Sequence, residues 1–463
     1  MISCGIDWDS VAIHGAHPLK GAVVSSGAKN SVSKIIAAAM LTDDACELIN
    51  FPLIGETVEA FSLVESVFGA QLKRLSERTF NVQCGTGKGL ANAIRALLQP
   101  MATRIPLILV APQLRKFGKA FIPRRMLGDP IGPRPIDFLL AGYVALGAVV
   151  YKNPRGYFIS APHGLRGTAI TLPFSSVSAT ANLTLAATIA DGITVVRNAA
   201  IDPEIVDMVR CLCGMGACID FDASQRILTI EGGKKLHGNS HTLIPDRQVA
   251  ASFAIAAIAS GGDITVHGIN IADLHPVLKV LKQCGAGIEV FADRARFYRM
   301  GELRAIMIES GPFPEFPSDC LPQMALMLTQ AHGTSILHET VFEARMNQLS
   351  PIVAAGAHIK IRKLCPDDAP CRFNGKRARH LCEITGPTPI VGGHMRIVDL
   401  RAGFTYLLAG SLSDSWSFID GVRNLQRGYE NVLSTFQSLG ADIQCRRVAR
   451  AIGFQMPRIA ALG

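Results

Sequence analysis

The chain lacks what a membrane protein needs. Its best apolar stretches, Leu139–Tyr151 and Ala250–Ser260, are shorter than the ~18 residues of a spanning helix and carry glycine or polar interruptions. It has no basic run of five or more residues and no interleaving of basic with aromatic side chains, which argues against a nucleic-acid-binding module. None of its twelve cysteines falls in a C-x-x-C pair. Spacing therefore points to no metal and to structural thiols in a reducing compartment. That reading covers Cys211, Cys213 and Cys218 in one apolar segment, and Cys365, Cys371, Cys382 and His380 in a polar one. His237 and His241 lie in a Gly/Asn loop where helical i,i+4 ligation is not expected. The first residues, MISCGIDWDSVAIHG, show no basic stretch leading into an apolar one, so no secretory leader is read and a cytoplasmic location is expected.

Aromatic residues are scarce at 6%, and charged ones make up only 18%. What is plentiful is small and apolar: 49% of the 463 residues are hydrophobic, with a mean hydropathy of +0.28. A chain this long is expected to form two to four domains at ~100–200 residues each. With no spanning helix to account for it, the apolar excess is assigned to Ala-rich helices hidden inside the fold. Lys and Arg exceed Asp and Glu by 46 to 37, for a net +9. That balance suits an anionic partner.

A six-fold internal repeat organises the chain. A helix-like segment ends in Gly-Ala and runs into a short apolar strand at Gly69, Gly147, Gly216, Gly285, Gly356 and Gly440. In the third unit Val195-Val196 reads as a strand, and Asp202-Pro203-Glu204 opens a helix with Asp as N-cap and Pro at the first helical position. Gly216 is its stop. A second, nearly uncharged helix precedes each unit: IIAAAML, LTLAATIADG, FAIAAIASGG, ALMLTQAHG and YLLAGSLSD. A helix apolar all round must be buried, and repeats that cannot cover their own faces must assemble.

Some motifs carry chemistry. Ser26-Gly27-Ala28-Lys29-Asn30 lies just before the first buried helix, where a helix N-terminus and a lysine attract anions. Gly128-Asp129-Pro130-Ile131-Gly132-Pro133-Arg134-Pro135-Ile136-Asp137 reads as an ordered functional loop. FPSD (residues 316–319) places Asp319 at a helix start, where capping is its bland explanation. Arg345, Arg401 and Arg427 recur near repeat starts and could converge on phosphate or be ion-paired surface residues.

In this order the strings SGAKN, IGPRPID, NAAIDPEIVD, IPDR, FPSD, ETVFEAR, DLRAG and RGYE resemble the UDP-N-acetylglucosamine 1-carboxyvinyltransferases of the enolpyruvyl transferase family, over nearly the whole chain. The resemblance implies an α/β (α+β) fold: a two-domain inside-out α/β barrel built from six βαβαββ repeats, three per domain. One domain would span 29–244, with a lid loop at about 121–133. The other would comprise 1–28 plus 245–463. It implies enolpyruvyl transfer from phosphoenolpyruvate to the 3′-hydroxyl of UDP-N-acetylglucosamine, the first committed step of peptidoglycan precursor synthesis, and so a part in cell-wall biogenesis, cell shape and division. No cofactor, no metal, no nucleic acid and no membrane partner are implied, and the oligomeric state stays open. Carried over by position, Lys29, Arg134 and Arg427 are similar to ligands of the phosphoenolpyruvate anion. Asn30 and Arg104 match substrate-site residues. Arg134, Pro135, Ile136, Asp137, Phe138, Ser176, Val177, Asp319 and Val341 match contacts to the nucleotide sugar. Arg345 and Arg401 match members of the basic lining. Catalytic roles would fall to Lys29, Asp129 and Asp319, the last as base on the sugar hydroxyl.

The sequence also departs from the family. Most members carry, at Asp129, a cysteine that the epoxide fosfomycin alkylates; a minority carry aspartate. Resistance to fosfomycin and an acid-shifted optimum are therefore expected, because Asp129 donates a proton only if its pKa is raised. Phe174 and Ser178 replace a lysine and a glycine common in relatives, and residues 363–384 look like an inserted surface loop. The related 5-enolpyruvylshikimate-3-phosphate synthases would show GSKS-type and Gly-Asn-Ala-Gly-Thr motifs, which are missing. Enolpyruvyl transfer to another uridine nucleotide, or a catalytically dead UDP-sugar-binding paralogue, are the alternatives.

Overall fold

The computed structural model describes residues 9–15, 17–101, 103–126, 128–365, 371–373 and 376–446. The expected outer limits 1–8 and 447–463 lie outside the described residues, as do Leu127 in the expected lid and 366–370 and 374–375 in the expected insertion.

The Gly-Ala endings explain the repeat. All six glycines have positive φ, from 64° to 102°, just past an outer helix. Only glycine adopts this conformation cheaply. The alanine N–H then reaches back five residues, as in Ala217 to Leu212 at 2.9 Å and Ala441 to Phe436 at 2.9 Å, closing a Schellman turn. Ala70, Ala148, Ala286, Ala357 and Ala441 are buried, so a larger side chain has no room at the start of the following strand.

Six inner helices follow: α1 (Lys29–Ala39), α2 (Val110–Phe117), α3 (Val177–Thr188), α4 (Arg247–Ala259), α5 (Leu321–Leu328) and α6 (Leu400–Leu412). In α4 every residue is buried, and in α6 all but Leu412. This is the expected destination of the apolar excess. The second unit differs. Its inner helix, α2, is no Ala-rich run; it ends in Arg115 and Lys116, which reach Asp43 at 2.8 and 3.4 Å. That is why pattern reading found five inner helices and passed over the sixth.

Among the described residues, six sheets cover the helices. Five share one plan, in which a strand pairs parallel with a neighbour on one side and antiparallel with a strand on the other that is itself followed by a fourth antiparallel strand. Asp263–His267, for example, lies between Lys20–Val24 (parallel) and Arg294–Arg299 (antiparallel). The sheet of Lys119–Pro123, Gly156–Ser160 and Val149–Asn153 has only three strands, all antiparallel. Closure is local to each half of the chain. Ser240–Thr242 returns to pair with Cys46–Ile49, while Ser10–His14 and Lys20–Val24 pair with strands beyond residue 262. The apolar core is likewise two clusters, one from Val32 to Leu243, the other from Val11 to Val23 joined by Val249 to Ile443. Among the described residues no helix is long and apolar enough to cross a membrane.

Three expectations need correction. Phe121–Pro123 close a β-strand, so the irregular loop begins at Arg124. Leu381–Ile384 are strand residues fully paired with Ser335–His338 and with Ile359–Arg362, so the insertion ends near His380. Nor is its start merely a surface loop, because Phe373 and His380 are fully buried. Of the cysteines once grouped there, Cys365 and Cys371 approach His380, and Cys382 stays in the core. His237 and His241 do not meet on a common ligand: His241 pairs with Asp207 at 2.9 Å and His237 contacts its neighbour's carbonyl.

Candidate active site

The site forms where the two halves touch. Gly27 bridges Pro245, and an added Cβ would lie 1.9 Å from the Asn50 carbonyl oxygen, so only glycine fits. Immediately after it, α1 begins without a side-chain cap of its own. Asp246 serves instead: one carboxylate oxygen accepts from Lys29 N–H at 2.9 Å, the other from Gln248 and Val249 N–H at 2.8 and 3.0 Å. A single buried aspartate thus caps an inner helix in each half. Lys29 Nζ pairs with Glu56 at 3.1 Å, and Gly428 leaves room for its stem, since a Cβ there would meet Lys29 Cδ at 2.7 Å. Asn30 follows on the first turn, half-buried.

From the first half, the loop after Arg124 crosses to the second. Ile131 C=O accepts from Ala344 N–H at 2.9 Å, and Gly132, at φ 116°, lies so close to Glu343 that a Cβ would come within 2.8 Å of its carboxylate. Asp129 accepts from Leu400 N–H at 3.2 Å, at the start of α6, and approaches Arg427 at 3.4 Å. Burial pushes its carboxyl up. The charges of Arg427 and Lys29 and the Leu400 N–H outweigh that, holding it below the usual carboxylate range. Beneath the loop lies an open cavity of about 550 Å³, lined by Arg104, Arg134, Asp129, Pro135, Ile136 and Asp137 among others. Arg104 donates to the Arg134 carbonyl at 2.9 Å; burial and the Arg134 charge lower its pKa to about 10. Both side chains also crowd Gly128, where an added Cβ would lie 3.3 Å from Arg134 Nη1 and 3.4 Å from Arg104 Cγ, so this wall of the cavity is cationic. Donors without a partner among the described residues, Arg104 Nε, Arg401 Nη1 and Arg427 Nε, tell the same story.

Asp319 is not a helix cap. It sits in a 3₁₀ turn before α5 and spans two guanidiniums, Arg345 Nη2 at 2.6 Å and Arg401 Nε at 3.2 Å. Burial raises its pKa, but Arg401, Arg345 and Lys29 overcome this and hold it far below the usual range. Arg345 and Arg401 are 2% and 3% exposed. They are therefore not surface ion pairs, and Arg345 is spent on Asp319, Ser318 and Asp399 rather than free to line the cleft. Arg401 also lies 5.3 Å from the Tyr429 ring. Val341 lies in a loop held by buried Glu339, which accepts from the Val341 and Phe342 N–H groups and from Ser310 and Ser318. Ser176 caps α3, accepting from Ala179 N–H at 3.3 Å, so its hydroxyl is already engaged; Val177 is the first residue of that helix. Phe138 packs against the core of the first half rather than lining the cavity.

Sequence reasoning quoted ETVFEAR, DLRAG and IPDR without giving Glu339, Asp399 or Asp246 a role. For Asp246 and Asp399 a carboxylate next to an apolar helix start was the available signal; Glu339, just after a strand, had none. Arg226 had no such signal. It sits at φ 55° and joins the halves by donating to Ser175 Oγ at 3.0 Å and the Phe313 carbonyl at 2.8 Å. Arg247 also crosses, to Glu204 at 3.0 Å and Asp202 at 3.1 Å. Asp202 thus spends its side chain on that arginine, although its position is that of an N-cap.

Six units around two cores, with a cationic cleft between, define the inside-out α/β class to which known enolpyruvyl transferases conform. The fold is similar to that of the enolpyruvyl transferase NikO from Streptomyces tendae (TM-score 0.81, 23% identity, 94% of this chain and 99% of that one). It is also similar to EPSP synthase from Acinetobacter baumannii (TM-score 0.67, 16% identity, 94% and 100%). Residues 13–436 match the family described as EPSP synthase (3-phosphoshikimate 1-carboxyvinyltransferase), and the chain belongs to that family. Curated relatives named UDP-N-acetylglucosamine 1-carboxyvinyltransferase include one from Protochlamydia amoebophila, 36% identical over 94% of both chains, and one from Zymomonas mobilis, 34% identical over 94% of this chain and 99% of that one.

Proposed function

We propose that the protein transfers the enolpyruvyl group of phosphoenolpyruvate to the 3′-hydroxyl of UDP-N-acetylglucosamine, releasing phosphate, for peptidoglycan precursor synthesis in the cytoplasm. The relatives' names support the substrate pair. The observation that carries the reading is an ionised carboxylate, Asp319, braced by Arg345 and Arg401, together with buried donors left without a partner among the described residues on Arg104 Nε, Arg401 Nη1 and Arg427 Nε. Residues 29–244 and 9–28 plus 245–446 would act as two domains closing on the substrates, with the Arg124–Pro133 loop as lid.

Asp319 takes the proton from the 3′-hydroxyl as its oxygen bonds to C2 of the enol, while C3 gains a proton. Breaking the C2–phosphate bond and removing a C3 proton then restores the double bond. Lys29, Arg134 and Arg427 hold the phosphate and carboxylate. Asp129, ionised against Arg427 and Lys29, gains a proton when the incoming phosphate draws those cations away, and then serves C3. The test is phosphate release from phosphoenolpyruvate, with and without UDP-N-acetylglucosamine. Sugar-dependent release supports the reading, and none at any pH removes it. The missing thiol also predicts resistance: intact mass after incubation with fosfomycin should show no adduct, whereas Asp129→Cys should gain one.

A further inference from the structure

Away from the cleft, a second polar cluster lies where the insertion meets the strand Ala331–His338. His338, the last residue of that strand, is wholly buried. Its Nδ1 is 2.7 Å from the Glu309 carboxylate, which makes Nδ1 the protonated nitrogen. The other nitrogen, Nε2, is buried and has no partner among the described residues. Facing it are Cys365, three residues beyond the strand His358–Arg362, and Cys371 and His380 of the insertion. The two sulfurs are 3.3 Å apart, and His380 Nε2 is 3.4 Å from Cys365 Sγ. His380 Nδ1 is 3.0 Å from the Ala378 carbonyl, which fixes the ring with Nε2 toward the cluster. All four atoms lie within 4.8 Å of one another.

We propose that His338, Cys365, Cys371 and His380 bind one zinc ion in a closed structural site. Two thiolates and two imidazoles are the donor set of structural zinc, and four protein ligands leave no open position. Bond lengths of about 2.3 Å to sulfur and 2.0–2.1 Å to nitrogen give tetrahedral edges of about 3.5 Å between sulfur and nitrogen, close to the spacing above, and about 3.8 Å between sulfurs, so the two thiols would part by about 0.5 Å on binding. The outer contacts fit as well. Glu309–His338 is the carboxylate–histidine arrangement that orients a metal ligand. Phe373 N–H points at Cys371 Sγ from 3.3 Å, and its buried ring packs 5.6 Å from that of His380. Sequence spacing missed the site because its fourth ligand comes from a strand 27 residues before Cys365.

The ion would clamp a segment that reaches the cleft. Glu339, next to His338, orders Ser318 and the Val341 loop, and its N–H donates to the His380 carbonyl at 2.8 Å. Arg372, between Cys371 and Phe373, stacks 4.9 Å from Phe174 of the first half and pairs with Glu343 at 3.4 Å.

The test is metal analysis of the full chain expressed with added zinc, by plasma mass spectrometry, followed by cobalt replacement. We expect one zinc per chain and a cobalt spectrum with sulfur-to-metal charge transfer. Cys371→Ser and His380→Gln should abolish both. Glu309→Gln should weaken zinc affinity about 10–100-fold. Cys382→Ser, adjacent but outside the cluster, should leave both unchanged. Removing zinc by chelator should expose residues 363–380 to protease, a readout independent of turnover. Wild-type protein that fails to take up zinc on reconstitution overturns the proposal. So does an intact mass two hydrogens light in wild type but not in Cys371→Ser, which would mark a Cys365–Cys371 disulfide instead.

Discussion

Two carboxylates of the candidate site, Asp319 and Asp129, are held in opposite ways. Asp319 is rooted in the second half, spanned by two guanidiniums that are themselves 2% and 3% exposed. Asp129 arrives on a loop from the first half and is held by one backbone N–H and a looser contact to Arg427 at 3.4 Å. Both are pressed toward the ionised form, Asp319 the further. On the proposed roles, the difference separates a base that must be ionised before substrate arrives from an acid whose protonation depends on it. Bracing by fixed, buried cations cannot be relieved by a ligand, whereas a contact to a cation that itself binds the ligand can.

The sharpest way to break this contrast is Asp319→Asn, which should lower kcat about 10³-fold in phosphate-release assays while leaving the fold intact. If the loss is under tenfold, Asp319 is not the base. Asp129→Asn should cost less, about 10²-fold, and should remove the fall in kcat at higher pH that the proposed role predicts for the wild type. The sign follows from the role: an acid must be protonated, so activity falls as pH rises through its pKa in the complex. A pH profile unchanged by the substitution would break the pairing of roles. Gly132→Ala keeps the chemistry and strains the loop where φ is 116° and Glu343 lies too close for a Cβ. It should raise KM for both substrates several-fold, a cost of about 1–2 kcal/mol. The contrast also has a stability side. Asp319 has a depressed pKa in the fold, so its contribution is present above the ordinary carboxylate range and is lost as pH falls through the folded value. Asp319→Asn should therefore flatten the acid side of a thermal-melt series more than Asp129→Asn does. The smallest effect is Ser176→Ala, expected to cost about 1 kcal/mol of stability through the lost cap of α3 with kcat unchanged. A rise in KM for the sugar nucleotide would show that the hydroxyl also serves substrate.

Much of this was legible before any coordinates. The six Gly-Ala endings, the uncharged helices and the order of the motifs are local patterns, because a left-handed turn, a buried helix or a cap is decided by a few neighbouring residues. They foretold the six units. The apolar excess was also correctly placed, in α4 and α6 above all.

What the sequence determined by itself was therefore the repeat, the inner helices and the residue types gathered for chemistry. What only the tertiary structure decided is which charges meet. Arg345 looked like a cleft arginine and proved to be a buried brace; Asp319 looked like a cap and proved to be braced; Asp246 proved to cap helices in both halves. His338 met Cys365, Cys371 and His380 across a sheet edge that no spacing rule contains. The reason is physical. Backbone turns are short-range and written in consecutive residues, whereas the pairing of a buried charge or ligand depends on neighbours brought close by folding, tens to hundreds of residues away along the chain.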